Sequence, residues 1–240
     1  MINIIKVLAS GSSGNSYIYE ADNEILLIEL GLNFKTIKQG LNFDLSNVKG
    51  AIITHSHGDH TKGVKEALNS GIDVYMSNGT IEELELNSHR LHAFEYDGEY
   101  PKYKMFKIGN FTILPFKSEH DTKEPVCFLI HHPKDGKTLF ITDSYFVKNR
   151  FKNINRLLIE CNYSEEILPT LPPFRARTIR SHMSLQTLKE MLSTMDLSKT
   201  KDITLIHISH DNGDPVRFRN EIEELTNIKT YIGETGLIIE

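Results

Sequence analysis

Val48-Lys49-Gly50-Ala51-Ile52-Ile53-Thr54 runs directly into His55-Ser56-His57-Gly58-Asp59-His60. The first segment is apolar and ends on β-branched residues, which fits a short buried strand. At its mouth, four potential metal ligands fall within six positions. In extended chain, alternate side chains point the same way, so His55 and His57 are placed to hold one cation together. Gly58 permits a turn, after which Asp59 and His60 can face a second cation. Imidazole with carboxylate and no thiolate suits zinc, iron or manganese rather than a structural cysteine site. Two such cations, roughly 3.5–4 Å apart, make a hydrolytic centre in which a bridging hydroxide attacks. A solvated histidine-rich turn is the plain reading of one histidine; it does not account for this cluster.

The chain has 240 residues and a formal net charge of −5. Its composition is that of an ordinary globular protein. No apolar run approaches the roughly 18 residues of a membrane span. The start, Met1-Ile2-Asn3-Ile4-Ile5-Lys6-Val7-Leu8, reads as a first strand and lacks the pattern of a secretory signal. Cys127 and Cys161 are far apart and read as buried small hydrophobes. A cytoplasmic protein with no membrane partner is expected, and a homodimer is compatible with the sequence. The acidic balance gives no global attraction for nucleic acid. Divalent cations and a local basic patch can nevertheless supply positive field. Arg175, Arg177 and Arg180 offer one such patch, or else a solvated loop.

Short apolar runs bounded by turn residues predict strands over residues 4–8, 17–20, 25–30, 51–54, 74–77, 111–116, 126–131, 138–142, 157–160, 204–208 and 237–239. Helical spacing joins Val64, Ala67 and Leu68. It also joins Leu185, Leu188, Met191 and Leu192 behind Ser184 as an N-cap, and Phe218, Ile222 and Leu225 behind Pro215. The interleaving predicts an α/β (α+β) architecture, with sheets inside, helices outside, and residues 1–240 as one domain.

Further ligands emerge where predicted strands end: His120, Asp143, whose two oxygens can bridge two cations, and His207. Glu160 and His182 are additional candidates.

With these residues in view, the chain resembles the metallo-β-lactamase superfamily, whose signature is His55-Ser56-His57-Gly58-Asp59-His60. The resemblance implies an αββα sandwich of two mixed sheets flanked by helices, with two divalent metal ions, zinc or manganese, at one edge. It implies His55, His57 and His120 on the first metal, Asp59, His60 and His207 on the second, and Asp143 between them. Within the superfamily the chain looks like the YycJ/WalJ group, associated with single-strand-specific exonuclease activity. The matches are Ala9-Ser10-Gly11-Ser12-Ser13-Gly14-Asn15-Ser16, Ser118-Glu119-His120-Asp121 with Glu124-Pro125, Thr142-Asp143, Glu160-Cys161-Asn162, Ser181-His182-Met183-Ser184 and His207-Ile208-Ser209. The similarity to RNase Z implies that His207 is the late ligand and that His182, held by Glu160, is catalytic. Two departures stand out. Glu29-Leu30-Gly31 has a glutamate, one methylene longer and one residue further from the glycine, where the family has aspartate. Tyr163 stands where the group tends to have histidine.

The expected function is therefore phosphodiester hydrolysis, on single-stranded nucleic acid or a small nucleotide. Asp59, His182 and Glu160 would serve catalysis, with His182 protonating the leaving group. Ser12, Ser13 and Asn15 would bind substrate, since glycine-rich loops expose amides to anions; a purely structural loop is the alternative. A cyclic-nucleotide phosphodiesterase is the second reading. A lactone, thioester or β-lactam hydrolase is the third, and a metal-stabilised binding module the last.

Overall fold

The structure is a computed structural model and describes residues 3–172, 175–176 and 179–240. Two seven-stranded mixed sheets face each other. The first has the order β14-β1-β2-β3-β4-β5-β6. Its strands are β1 (Ile4–Ala9), β2 (Ser16–Ala21), β3 (Glu24–Ile28), β4 (Val48–Ile52), β5 (Val74–Met76), β6 (Leu91–Ala93) and β14 (Ile238–Ile239). The second has the order β13-β12-β11-β10-β9-β8-β7. It contains β7 (Phe106–Ile108), β8 (Phe111–Lys117), β9 (Val126–His132), β10 (Gly136–Ile141), β11 (Arg156–Glu160), β12 (Asp202–Ile206) and β13 (Lys229–Ile232). Each sheet is antiparallel at one side and parallel at the other.

Three apolar clusters make the layers. Tyr17, Tyr19, Phe111, Phe128 and Phe140 fill the space between the sheets, with Tyr17 edge-on to Phe140 at 5.2 Å. Side chains of this size stabilise the fold by about 1.5–3 kcal/mol each when buried. Outside the first sheet, Phe34 and Ile37 of helix α1 (Phe34–Gly40) and Val64, Ala67 and Leu68 of α3 (Val64–Asn69) cover Leu27, Ala51 and Val74. Outside the second, Leu185, Leu188, Met191 and Leu192 of α5 (Leu185–Ser193) and Phe218 and Ile222 of α6 (Pro215–Thr226) cover Leu157, Ile159, Ile203 and Leu205. This is the αββα order of layers. Further helices among the described residues include the single turn α2 (Gly58–Thr61), α4 (Asn78–Leu84) and a 3-10 helix at Glu165–Thr170.

The eleven predicted strands and three predicted helices are present. The Ser184 hydroxyl accepts from Thr187 N–H, and Asp214 caps α6 ahead of Pro215. Three short strands, β6, β7 and β13, and helices α1 and α4 went unforeseen. Ser77, expected to end a strand, instead caps α4 by accepting from Thr80 N–H. Predicted strands 25–30, 138–142 and 204–208 stop early, at Ile28, Ile141 and Ile206. The residues just beyond those ends turn sharply. Glu29, Asp143 and His207 have φ of 62°, 46° and 52°. Left-handed backbone at a non-glycine residue costs of order 1–3 kcal/mol and concentrates at functional sites.

Candidate functional site

Those turns bring chain segments from both sheets to one edge of the sandwich. His55 follows β4, and His57 is the N-cap of the short helix that carries Asp59 and His60. His120 follows β8, Asp143 follows β10, and His207 follows β12; Glu160 is the last residue of β11.

Two groups of donors result. In the first, His55 Nε2 and His120 Nε2 lie 3.1 and 3.2 Å from His57 Nδ1. In the second, His60 Nε2 lies 3.4 Å from Asp59 Oδ2, and His207 Nε2 lies 3.5 Å from the same oxygen. Asp143 stands between the groups, with Oδ2 3.0 Å from His60 Nε2 and Oδ1 3.7 Å from His207 Nε2 and 3.9 Å from His120 Nε2. Both trios, and Asp143 with His55 and His60, are close enough to share an ion.

The outer nitrogens of these rings decide what the inner ones offer. His120 Nδ1 lies 3.3 Å from the Ser181 carbonyl, which only accepts. His207 Nδ1 lies 3.1 Å from Glu160 Oε1. His60 Nδ1 lies 3.4 Å from Glu29 Oε2. Proton-bearing nitrogens toward these oxygens leave the opposite nitrogens with lone pairs aimed inward, as metal sites require. His207 Nε2 is buried and has no hydrogen-bond partner among the described residues. An orphaned lone pair facing two carboxylates fits a divalent cation, and the donor set is that of zinc or manganese.

Without a cation, the site resolves its charges by protonation. Burial opposes a charge on His207, but Asp143 and the neighbouring Asp59 and Glu160 carboxylates lift its pKa to about 10. Burial likewise disfavours charge on Asp143, yet His207 and His60 hold its pKa well below the carboxylate range. His182 sits beside the second group. Its Nδ1 donates to Glu160 Oε1 at 2.7 Å and lies 3.2 Å from Asp143 Oδ1. Burial opposes its protonation, but Glu160 and Asp143 together raise its pKa. Glu160 also accepts from Ser144 N–H and Met183 N–H, so its carboxylate is locked.

Glu29 is fully buried. Besides facing His60, it accepts from Thr54 N–H at 3.2 Å. The longer side chain thus reaches the metal-bearing turn from left-handed backbone. Tyr163 is buried, 2% exposed, and is not among the residues that line the cavity of about 270 Å³ beside His182.

The Ser10–Ser16 loop divides by role. Ser12 and Ser13 are exposed. Ser12 shares a cavity of about 270 Å³ with His182, His207, Arg175, Ser209 and Asn212. Asn15 is fully buried. Its amide lies 3.1 Å from His60 Nε2 and 3.3 Å from Asp59 Oδ2, while its carbonyl oxygen accepts from Gly11 N–H. Ser10 Oγ accepts from His207 N–H at 2.8 Å. The loop therefore braces both sides of the second donor group; the sequence marked Ser10 only as part of a loop that could bind phosphate, not as a support for His207. Gly31 lets the turn close: a Cβ there would sit 1.7 Å from the Asp59 carbonyl oxygen. Of the arginine patch, Arg175 pairs with Asp211 and Arg180 is exposed; Arg177 lies outside the described residues.

Residues 32–208 match the family described as Beta-lactamase superfamily domain. The chain belongs to the metallo-β-lactamase superfamily. It is 31% identical to Exodeoxyribonuclease WalJ of Streptococcus pneumoniae over 86% of this chain and 81% of that one. It is 26% identical to Exodeoxyribonuclease YycJ of Bacillus anthracis over 95% and 91%. Its fold superposes on the metallo-beta-lactamase fold protein YhfI from Bacillus subtilis with a TM-score of 0.75, at 16% identity, covering 99% and 98% of the two chains. A metal-dependent hydrolase of this superfamily is thereby established. No helix among the described residues is long and apolar enough to cross a membrane.

Proposed function

We propose that the protein is a single-domain exonuclease that hydrolyses phosphodiester bonds of single-stranded DNA with two divalent cations, zinc or manganese. The observation that carries this reading is the Glu160–His182 pair set against the double donor group. His55, His57 and His120 would hold one cation, Asp59, His60 and His207 the other, and Asp143 both. Bound there, the cations would supply Lewis acidity toward the phosphate and a water acidic enough to attack near neutral pH.

The chain's own groups supply the rest. Asp59, whose burial raises its pKa but whose neighbours His207 and His60 lower it by more, stays anionic and orients the attacking water. His182 Nε2 carries the proton given to the leaving oxygen as the P–O bond breaks, while Glu160 holds the ring through Nδ1. A raised His182 pKa keeps that proton available near pH 7. The 270 Å³ cavity beside His182 takes a terminal nucleotide, with Ser12 and Arg175 near its phosphate. Asn15 contributes by holding Asp59 and His60 rather than by touching substrate. The two relatives named exodeoxyribonucleases support the same substrate class.

The test is a substrate panel of labelled single-stranded DNA, RNA, duplex DNA and cyclic mononucleotides, with zinc and with manganese. Stepwise shortening of single-stranded DNA is the expected result. Turnover of cyclic mononucleotides alone would replace this reading with the small-molecule phosphodiesterase.

A further inference from the structure

The outer face of the second sheet carries a groove of about 690 Å³ beside β8. Three lysines line it, Lys102, Lys104 and Lys117, against one carboxylate, Asp97. Its floor is apolar, from Leu114 and Phe116, and Met105 projects into it with 67% of its surface exposed. A second hollow of about 220 Å³ shares Met105 and Leu114 and continues to Lys137. On a chain of net charge −5, this is a local reversal of sign joined to an exposed apolar strip.

The groove leads to the catalytic edge. Lys117 is three residues from His120, about 10 Å along extended chain. Its ammonium group and that of Lys148 share one carboxylate, Glu119, at 3.1 and 3.6 Å. The loop is fastened to the metal end: Ser118 Oγ donates to the Asp143 carbonyl and Tyr145 N–H donates to the Glu119 carbonyl. Exposed aromatic rings flank this stretch. Tyr145, two residues past Asp143, is 53% exposed; Tyr100, whose ring contacts Tyr103 of the groove wall, is 45% exposed. The Lys102–Asp97 and Lys104–Glu95 pairs are themselves exposed. Such pairs are worth little and exchange readily for phosphate.

We infer that this groove is the track for the body of a single-stranded nucleic acid whose end lies at the metal centre. Lysines spaced along an apolar floor with exposed aromatic rings are what such a strand needs: charge for its backbone and flat faces for its unpaired bases. The groove runs toward His120, whose ring neighbours that of His182 at 5.3 Å between centroids, so the groove's end and the cavity at His182 both border the donor groups. A strand running along the groove would present its terminal nucleotide to that cavity. This rests on the nuclease reading and adds a binding site to it.

The test compares wild type with Lys102→Glu/Lys104→Glu and with Tyr100→Ala. Binding of a fluorescent 20-nucleotide single-stranded DNA is followed by anisotropy in EDTA. Hydrolysis of the same strand and of bis(p-nitrophenyl) phosphate is followed with manganese. The double variant should bind the strand at least tenfold more weakly. Its log–log salt slope should be shallower by about 0.7 per lysine lost, with bis(p-nitrophenyl) phosphate turnover unchanged. Tyr100→Ala should weaken binding about fivefold or more. Unchanged strand affinity in both variants overturns the track, as does a wild type that binds no strand. So does self-association abolished by the same substitutions without loss of strand binding, which would make the groove a contact between copies. Failure of the nuclease reading shows separately, as strand binding without hydrolysis.

Discussion

Strand β11 carries a buried charge at each end, and the two ends are built to opposite plans. Arg156 begins it and Glu160 finishes it, at 3% and 0% exposure. At the Arg156 end, the guanidinium lies 3.5 Å from Asp135 and 3.7 Å from Asp202, and Tyr19 donates to Asp135 at 2.7 Å. Burial raises the Asp202 pKa even with Arg156 beside it. A permanent side-chain cation thus completes that cluster. At the Glu160 end, three carboxylates, Asp59, Asp143 and Glu160, meet histidines, and among the described residues their ion pairs are to histidines rather than to lysine or arginine. The positive charge must come from protons or from bound cations. One end spends its polar groups on holding the sheets together; the other leaves lone pairs open for exchangeable ions.

The comparison breaks most sharply at the metal end. His60→Ala or Asp59→Ala should reduce hydrolysis to background with the fold retained. A hydrolysis assay and circular dichroism check the two halves of that statement, and metal content by mass spectrometry should fall with the activity. Full activity in either variant would refute the paired-cation arrangement. His182→Ala should slow cleavage of unactivated phosphodiesters by about 10²–10⁴-fold, and cleavage of an aryl phosphodiester far less. Equal losses would remove His182 from leaving-group protonation. At the opposite end, Arg156→Met should leave Asp135 and Asp202 buried without a counter-charge. Loss of one partner of a buried pair costs about 3–5 kcal/mol, read as a lower urea midpoint, with kcat/KM of the folded protein unchanged. A matching fall in kcat/KM would show that the ends are coupled through β11. The smallest effect sharpens the division within the Ser10–Ser16 loop. Asn15→Ala should lower cation affinity by about 10–100-fold, as loss of a group supporting metal ligands does, whereas Ser12→Ala should leave it unaltered. Competition with a chromophoric chelator reads both.

The strands legible in the sequence are those with long apolar runs. The ones that escaped it, β6 and β7, are three-residue edge strands with His92 and Lys107 at their centres. β13 is also an edge strand and begins at Lys229. Edge strands need little apolar patterning because one side meets solvent. Helix α4 was hidden because Asn78-Gly79-Thr80 reads as a turn; its start depends on the Ser77 cap and on Glu124, which accepts from Gly79 N–H. The lysine groove was likewise invisible, since Lys102, Lys104 and Lys117 come from two segments with no basic run in either.

The sequence by itself determined the donor chemistry and its pairing. His55, His57, Asp59 and His60 are neighbours in the chain, and extended geometry followed by a turn leaves few ways to point them. Only the tertiary structure decided how His120, Asp143, Glu160, His182 and His207 join them. These residues lie on separate strand ends, and their meeting depends on two sheets stacking in register and on three residues turning left-handed. The same stacking commits Asn15 to the second donor group and gathers lysines from distant segments into one groove. Contacts across the sandwich arise from packing of whole layers, and no local spacing encodes them.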